Sequence, residues 1–131
     1  MTNAATGACE SVTYTADDGR LVTGAILKAA ELVGIRPAEL SRMLGVSESK
    51  ISRMKSGSAA LKPGAKEFEL ALLVLRVFRS AGALYGADFA YISDWLRAGH
   101  LDLKPTPLER MQTVSGVVDV ANYLDYFRGR T

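Results

Sequence analysis

The chain has 131 residues, of which 48% are hydrophobic and 23% charged, and its formal net charge is +2. These are the values of an ordinary globular domain, and they exclude collagen, coiled-coil and wholly disordered chains. The one cysteine, Cys9, cannot form a disulfide within the chain, so we expect a reducing, intracellular environment.

The sequence shows no targeting segment. Its first ten residues have neither the basic region nor the apolar region of a secretory signal peptide. The most apolar stretch, residues 70–85, is interrupted by Arg76 and Arg79, and each would cost about 2.5–3.5 kcal/mol at a helix centre in lipid. We therefore expect a cytoplasmic protein that makes no contact with membranes.

Helical periodicity starts after residue 20. Residues 1–20 have no sustained period and are interpreted as a flexible tail. A first helix is predicted over residues 21–33, and Gly34 is expected to end it. The apolar residues that recur at helical spacing in this segment are Val22, Ile26, Ala29 and Val33.

Two short helices follow, and together they have the pattern of a helix-turn-helix. Pro37 opens one over residues 37–44, and Ser47 is a good N-cap for the next over residues 48–55. Gly45 tolerates the positive φ of the turn, since it has no Cβ. The apolar positions that join the pair to the first helix are Leu40, Leu44, Val46, Ile51 and Met54.

The outer face of the third helix has the chemistry of a DNA contact. In the docking geometry of this motif, the N-terminal half of such a helix enters the major groove, where hydroxyl and guanidinium groups bind bases or phosphates. The residues predicted to bind DNA are Ser47, Glu48, Ser49, Lys50, Ser52, Arg53 and Lys55. The alternative is an αα-hairpin whose polar face has no nucleic-acid partner.

Positive charge is concentrated around this motif. Residues 36–62 contain six basic and two acidic residues, whereas residues 65–131 contain eight of each. A local excess of positive charge is expected of a nucleic-acid contact. A solvated surface stretch would have the same composition, so charge alone does not decide between the two.

A loop over residues 56–64 separates this motif from a long fourth helix, predicted over residues 65–84. The narrow polar strip of this helix consists of Lys66, Glu69, Arg76 and Ser80. A helix that is apolar on nearly all sides is buried, either by the rest of its chain or by a second copy. Both interpretations stay open, and the second predicts a homodimer, in keeping with the two-fold symmetry of most operators read by this motif.

Three further helices complete an all-α fold. Asp88 caps a fifth helix that ends near residue 98, and its Trp95 is expected in the core. Thr106 and Pro107 start a short sixth helix that ends near residues 114–116. The last helix is predicted over residues 117–127.

The last helix has two faces of different chemistry. The residues expected to face the core are Val117, Val120, Leu124 and Phe127. The residues on a second face are Asp119, Tyr123, Tyr126 and Arg130. Tyrosine and arginine are enriched in protein interfaces, so we interpret the second face as a protein-binding surface. The alternative is that the tyrosines pack at the rim of the core with their hydroxyls in water.

No constellation for catalysis or metal binding is apparent. The one histidine, His100, follows Gly99 and is expected in an exposed turn. No His, Cys or Asp cluster has the spacing of metal ligands, and no glycine-rich loop could bind a phosphate. We expect no enzymatic activity, no metal and no cofactor.

Two segments resemble a known family. Residues 40–57, LSRMLGVSESKISRMKSG, resemble the lambda-repressor-like, or Xre-type, helix-turn-helix. Residues 95–124 are similar to the C-terminal domain of the Xre/MbcA/ParS antitoxins, in which a Trp-Leu pair precedes a Thr-Pro helix start, a Thr-x-x-Gly break and a closing amphipathic helix. One departure is the segment Asp102-Leu-Lys-Pro105, where that family often has a glycine-rich turn.

This resemblance implies the antitoxin of a type II toxin–antitoxin pair. The toxin would be a RES-domain protein that consumes NAD or transfers ADP-ribose from it, and the antitoxin would cover the active site of this toxin. Residues 21–62 would bind operator DNA and repress the shared operon, and residues 63–131 would bind the toxin and dimerise. Arg128 or Arg130 could then occupy a pocket built for an anionic cofactor.

Two other functions remain open. One is a dimeric helix-turn-helix repressor that has no toxin partner. The other is a toxin inhibitor in which the helix-turn-helix is only a scaffold and does not bind DNA.

Overall fold

The computed structural model describes residues 13–100 and 105–129, and within them the chain forms seven α-helices and no strand. The helices are α1 (Ala16–Val33), α2 (Pro37–Leu44), α3 (Glu48–Ser56), α4 (Lys66–Tyr85), α5 (Phe89–Arg97), α6 (Pro107–Arg110) and α7 (Val114–Gly129). The all-α fold expected from the sequence is therefore confirmed. The expectations for Cys9, for residues 101–104 and for Arg130 lie outside the described residues.

The long helix α4 lies at the centre of one hydrophobic core. It packs against α1, α2, α5 and α7. Its buried residues are Phe68, Ala71, Val74, Val77, Phe78, Ser80 and Ala81. Other residues on it are only partly buried, namely Leu70, Leu72, Leu73, Leu75, Leu84 and Tyr85. The same chain thus covers much of the apolar surface of α4, and contact with a second copy stays a prediction.

Ser80 does not lie on an exposed polar strip, as the sequence had indicated, but is fully buried. Its hydroxyl donates a hydrogen bond to Asp125 Oδ1 at 3.2 Å and accepts one from the Arg128 guanidinium at 3.0 Å. Both partners come from α7. Burial of the hydroxyl is tolerated because these hydrogen bonds replace the ones it would make to water.

Helix α1 begins earlier than expected, at Ala16. The prediction of a flexible tail over residues 1–20 is therefore wrong for residues 16–20. Thr15 and Asp18 form a capping box: the Thr15 hydroxyl accepts a hydrogen bond from Asp18 N at 3.3 Å, and the Asp18 carboxylate accepts one from Thr15 N at 2.7 Å. Such caps satisfy N–H groups that the first helical turn leaves free. The cap, and not apolar periodicity, starts this helix at Ala16.

Helix α7 also begins earlier than expected, at Val114, and Gly116 lies inside it and not in a break. The hydroxyl of Thr113 accepts a hydrogen bond from Gly116 N at 3.1 Å, which is the role of an N-cap. A Cβ on Gly116 would lie 1.7 Å from the carbonyl oxygen of Arg110. Glycine is therefore required for the end of α6 to pack this closely against the start of α7.

The burial of two aromatic residues differs from the prediction made from the sequence. Phe127, expected in the core, is 38% exposed, because its ring packs against Tyr123 and Tyr126 outside the core. His100 is half-buried, since its ring lies 4.9 Å from that of Trp95 and its Nε2 lies 2.9 Å from the Trp95 carbonyl oxygen. Trp95 is buried as expected. The other residues expected to face the core from α7 are also buried, namely Val117, Val120 and Leu124.

In the described part of the chain, no helix by itself combines the length and the hydropathy needed to cross a bilayer. Helices α4 and α5 meet that condition only when they are taken together, and the chain bends by 114° between them.

An ion pair between a buried carboxylate and a partly exposed guanidinium joins the helix-turn-helix to the C-terminal helices. Glu39 on α2 is 4% exposed, and both of its carboxylate oxygens accept hydrogen bonds at 2.9 Å from the Arg97 guanidinium on α5. The same carboxylate accepts bonds at 2.9 Å from the backbone N–H and guanidinium of Arg36. Arg97 also donates to the carbonyl oxygen of Gly34 at 2.8 Å. One guanidinium therefore connects α5 to α2 and to the end of α1.

This pair changes the acidity of Glu39. Hydrogen bonding to Arg97 lowers the pKa of the Glu39 carboxyl from 4.5 to about 2, although burial acts in the opposite direction. A lowered pKa stabilises the folded state above the pKa of the unfolded chain, near 4.5. That stabilisation is lost as the pH falls from there towards 2.

We predict that Glu39→Gln lowers the free energy of unfolding by about 2 kcal/mol at pH 7. We expect a smaller loss of stability than for a fully buried ion pair, because the Arg97 side chain is 36% exposed and water screens its charge. At pH 3 the difference from the wild type should shrink to about half, since the unfolded chain then binds the proton more readily than the folded one. Urea denaturation at both pH values measures this difference.

The matched control is Glu31→Gln on α1, since Glu31 is exposed and lies 3.8 Å from Lys28. It should change stability by less than about 0.5 kcal/mol. Equal effects of the two substitutions, or an effect of Glu39→Gln that does not depend on pH, would contradict the assigned role of the buried pair.

Candidate functional site

Helix α3 presents one polar face to solvent and buries the other. The residues predicted to bind DNA that are exposed are Ser47, Glu48, Ser49, Ser52, Arg53 and Lys55. On the opposite face, Ile51 and Met54 are buried. Gly45, with a φ of 70°, makes the turn between α2 and α3. The structure therefore places the predicted face of α3 where a nucleic acid could reach it.

Lys50 is the exception among these residues. Its side chain is 26% exposed, and its ammonium group lies 3.8 Å from the carboxylate of Glu67 on α4. Ser47 also has a local role, because its hydroxyl accepts a hydrogen bond from Lys50 N at 3.0 Å and caps α3. A phosphate group would have to compete with Glu67 for the charge of Lys50.

A groove beside α3 collects positive charge from three parts of the chain. It lies between the start of α1, helix α3 and the loop that follows α3, and we call it the basic groove. The basic residues that line it are Arg20, Lys50, Arg53 and Lys62. Two of these cations have acidic partners: Arg20 is hydrogen-bonded to Asp17, and the ammonium group of Lys50 lies 3.8 Å from the Glu67 carboxylate. A groove lined by four basic residues suits the phosphate backbone of a nucleic acid, which would compete with these two carboxylates.

Sequence reasoning missed Arg20 and Lys62 as members of this site. Arg20 was assigned to the flexible tail, and the capping box that places it on α1 was the signal that could have found it. Lys62 contributed to the local charge excess but lay in a loop of unknown position. Only the folded chain brings the two residues to the same groove.

Buried contacts hold the loop against α1 and so shape the basic groove. The hydroxyl of Thr23, which is 5% exposed, donates a hydrogen bond to the Gly19 carbonyl oxygen at 2.7 Å and accepts one from Leu61 N at 2.8 Å. A Cβ on Gly19 would lie 2.4 Å from the carbonyl oxygen of Leu61, so the close approach requires glycine. These contacts determine where the next residue, Lys62, lies.

Helix α7 places its predicted protein-binding residues in different environments. Tyr126 is 59% exposed. Tyr123 is half-buried, with its ring stacked on that of Trp95 at a centroid distance of 6.3 Å. Asp119 is exposed and accepts a hydrogen bond from the Arg110 guanidinium at 2.6 Å. The interpretation that tyrosines pack at the rim of the core suits Tyr123, whereas Tyr126 is more exposed and packs on Phe127.

Arg128 belongs to a polar cluster between α4 and α7. It donates a hydrogen bond to the Ser80 hydroxyl, and Asp125 in the same cluster is hydrogen-bonded to Arg76. The hydrogen bond from Arg76 lowers the pKa of the Asp125 carboxyl. Arg128 would reach an anionic pocket of a partner only by leaving this cluster, and Arg130 lies outside the described residues.

Residues 13–100 and 105–129 contain no group of three or more His, Cys, Asp or Glu side chains placed to hold a metal ion. The ring of His100 contacts the ring and the backbone carbonyl of Trp95. The surfaces that could contact a partner are the basic groove next to the polar face of α3, and the exposed tyrosine on α7.

Two protein-family models match the chain in consecutive regions. The model described as the antitoxin Xre-like helix-turn-helix domain matches residues 13–76, and the model described as the antitoxin Xre/MbcA/ParS C-terminal toxin-binding domain matches residues 80–130. No curated protein matches the chain. The first region contains α3 and the basic groove, and the second contains the exposed tyrosine of α7. The boundary predicted at residues 62–63 stays a prediction.

Proposed function

The chain belongs to the Xre/MbcA/ParS antitoxin family, and from that membership we propose that it neutralises a RES-domain toxin and represses the operon that encodes both proteins. The toxin would degrade NAD or transfer ADP-ribose from it, and the antitoxin would block its active site without catalysing a reaction. We propose that the protein acts in the cytoplasm, because NAD and operator DNA are both found there.

The observation that carries the DNA-binding part is the basic groove beside the exposed face of α3. Arg53 lies on the exposed face of α3 and also lines the basic groove. The helix face suits the major groove of DNA, and the basic groove suits the phosphate backbone. The short hydroxyls of Ser49 and Ser52 could hydrogen-bond to base edges.

The toxin-binding part rests on the match of residues 80–130 to a toxin-binding domain. Tyr126 is 59% exposed within this region, and its ring packs against Phe127 on the same helix. Tyrosine buries a large area on binding at a small cost in conformational entropy, so an exposed tyrosine in this region suits a contact with the toxin.

We also propose that the antitoxin is a homodimer whose contact involves α4. Operators read by a helix-turn-helix usually have two-fold symmetry, and a symmetric dimer matches them. The partly buried leucines on α4 supply apolar surface that a second copy could cover. They are Leu70, Leu72, Leu73 and Leu75.

We predict that the basic groove determines the salt dependence of DNA binding. Arg20→Gln and Lys62→Gln should each reduce the slope of log affinity against log salt concentration by about 1, because each removes one phosphate contact. Arg53→Gln should in addition lower the affinity for the promoter of the protein's own operon by several-fold. Fluorescence anisotropy with this promoter and with a duplex of random sequence measures both quantities.

Lys28→Gln is the control for these variants, since Lys28 lies on α1 outside the groove and pairs with Glu31. Its slope should equal that of the wild type. Equal slopes for Lys28→Gln and for the groove variants would show that the groove does not hold DNA. A wild-type protein that binds neither duplex would leave the helix-turn-helix as a scaffold.

We predict that an equimolar amount of the antitoxin stops NAD consumption by the RES-domain protein of the same genome. Tyr126→Ala should raise the concentration needed for half-inhibition at least tenfold, because the loss of a tyrosine that a partner buries costs about 1–2 kcal/mol or more. Tyr14→Ala is the control, since Tyr14 is also exposed but packs on Phe68 in the N-terminal region. Unchanged NAD consumption with the wild-type protein would rule out this toxin class.

We predict that light scattering at micromolar concentration gives twice the mass of the monomer. Leu72→Gln should shift the mass towards the monomer, because it places a polar amide in the proposed contact. Leu32→Gln on α1, where Leu32 is 43% exposed, should leave the mass unchanged. A monomeric wild-type protein would contradict the proposed dimer. Loss of the dimer only in Leu32→Gln would indicate that the contact involves α1 and not α4.

A further inference from the structure

Six aromatic rings form a continuous series that runs from α5 through α4 to the end of α7. Each ring contacts the next, with centroid distances between 4.9 and 6.3 Å, the range in which ring pairs attract each other. We call this series the aromatic strip. Its members in spatial order are Tyr91, Tyr85, Trp95, Tyr123, Phe127 and Tyr126.

The aromatic strip is buried in its middle and exposed at both ends. Trp95 is buried, at 8% exposure. At one end Tyr91 on α5 is 49% exposed, and at the other Tyr126 and Phe127 on α7 are 59% and 38% exposed. Tyr91 packs against the partly buried Tyr85, and Tyr126 packs against Phe127, which in turn contacts the partly buried Tyr123. These contacts restrict the exposed rings, so they lose less conformational freedom when a partner covers them. Exposed aromatic side chains backed by a rigid core are typical of binding surfaces.

We propose that the toxin contacts both exposed ends of the aromatic strip, so that its contact extends beyond α7 to Tyr91 on α5. The inference rests on the proposed function, because the occupant it names is the toxin of that proposal. All six residues lie within residues 80–130, the region matched to a toxin-binding domain. The face of α7 that sequence reasoning singled out is then only one end of the docking surface.

The composition of the strip favours a separately folded toxin over a second copy of this chain. Four of its six residues are tyrosines, which combine an apolar ring with a hydroxyl that tolerates water. Interfaces that form and dissociate have such mixed composition, whereas those of permanent homodimers are more apolar. Burial raises the pKa of Tyr85 above 10, so this hydroxyl stays protonated and adds no charge to the strip.

The residues beside the two ends of the strip are engaged within the chain. At the α7 end the Arg128 guanidinium donates to the Ser80 hydroxyl at 3.0 Å, and at the α5 end the Asp88 carboxylate accepts a hydrogen bond from Tyr91 N at 3.0 Å. The complementary toxin surface is therefore an apolar area that covers the exposed rings, with polar groups that meet the tyrosine hydroxyls.

Titration of the antitoxin and its variants with the RES-domain protein of the same genome, followed by calorimetry, tests the inference. Tyr91→Ala and Tyr126→Ala should each raise the Kd at least tenfold. Val114→Ala is the matched control, since Val114 is 62% exposed on α7 but does not belong to the strip. It should change the Kd less than twofold. Tyr91→Phe, which keeps the ring, should bind within about threefold of the wild type if ring area carries the contact.

The outcomes separate the two proposals. If Tyr126→Ala weakens binding and Tyr91→Ala does not, the contact is confined to α7, and the inference is overturned while the proposed function stands. If the wild-type protein does not bind the toxin, both are overturned. If Tyr91→Ala changes the self-association of the antitoxin and not its toxin affinity, the strip is covered by a second copy, and the inference is again overturned.

A measurement on the wild-type protein removes any dependence on the folding of a variant. Hydroxyl-radical footprinting of the free antitoxin and of its toxin complex compares the accessibility of Tyr91 and Val114 directly. Bound toxin should lower the labelling of Tyr91 at least threefold and leave that of Val114 unchanged. Equal labelling of Tyr91 in the free and bound states overturns the inference.

Discussion

The ion pair between Glu39 and Arg97 is the constraint on which the arrangement of both halves depends. Its guanidinium contacts α2 through Glu39 and the end of α1 through Gly34, so the helix-turn-helix is attached to α5 at two points. Buried ion pairs add little stability compared with apolar contacts, but they strongly disfavour arrangements that leave one charge unpaired. This pair therefore serves mainly to select one orientation of the helix-turn-helix relative to the C-terminal helices.

Helix α4 joins the helix-turn-helix to the C-terminal helices through apolar contacts. It contacts α1 and α2 on the side of the basic groove, and α5 and α7 on the side of the aromatic strip. The gap between the two family matches falls inside this helix, at residues 77–79. The helix-turn-helix region and the C-terminal region therefore share one hydrophobic core. A substitution in the buried part of α4 is expected to affect both surfaces.

Features that depend on neighbouring residues could be predicted from the sequence, and those that depend on distant residues could not. The turn at Gly45 and the buried face of α3 follow from caps, glycines and helical periodicity, which act over a few residues. The pairing of Glu39 with Arg97 joins residues 58 positions apart, and nothing in the sequence indicates it. Ser80 looked like a surface residue for the same reason, because its partners come from α7.

The sequence by itself determined the helices, the polar face of α3 and the family, since each depends on local spacing of residue types. The tertiary structure decided which of these residues act together. It brought Arg20 and Lys62 to one groove, and it connected Tyr91 to Tyr126 through a series of ring contacts that passes the buried Trp95. A binding surface is built from side chains of several helices, and their mutual positions are set by packing and by buried polar contacts between distant parts of the chain.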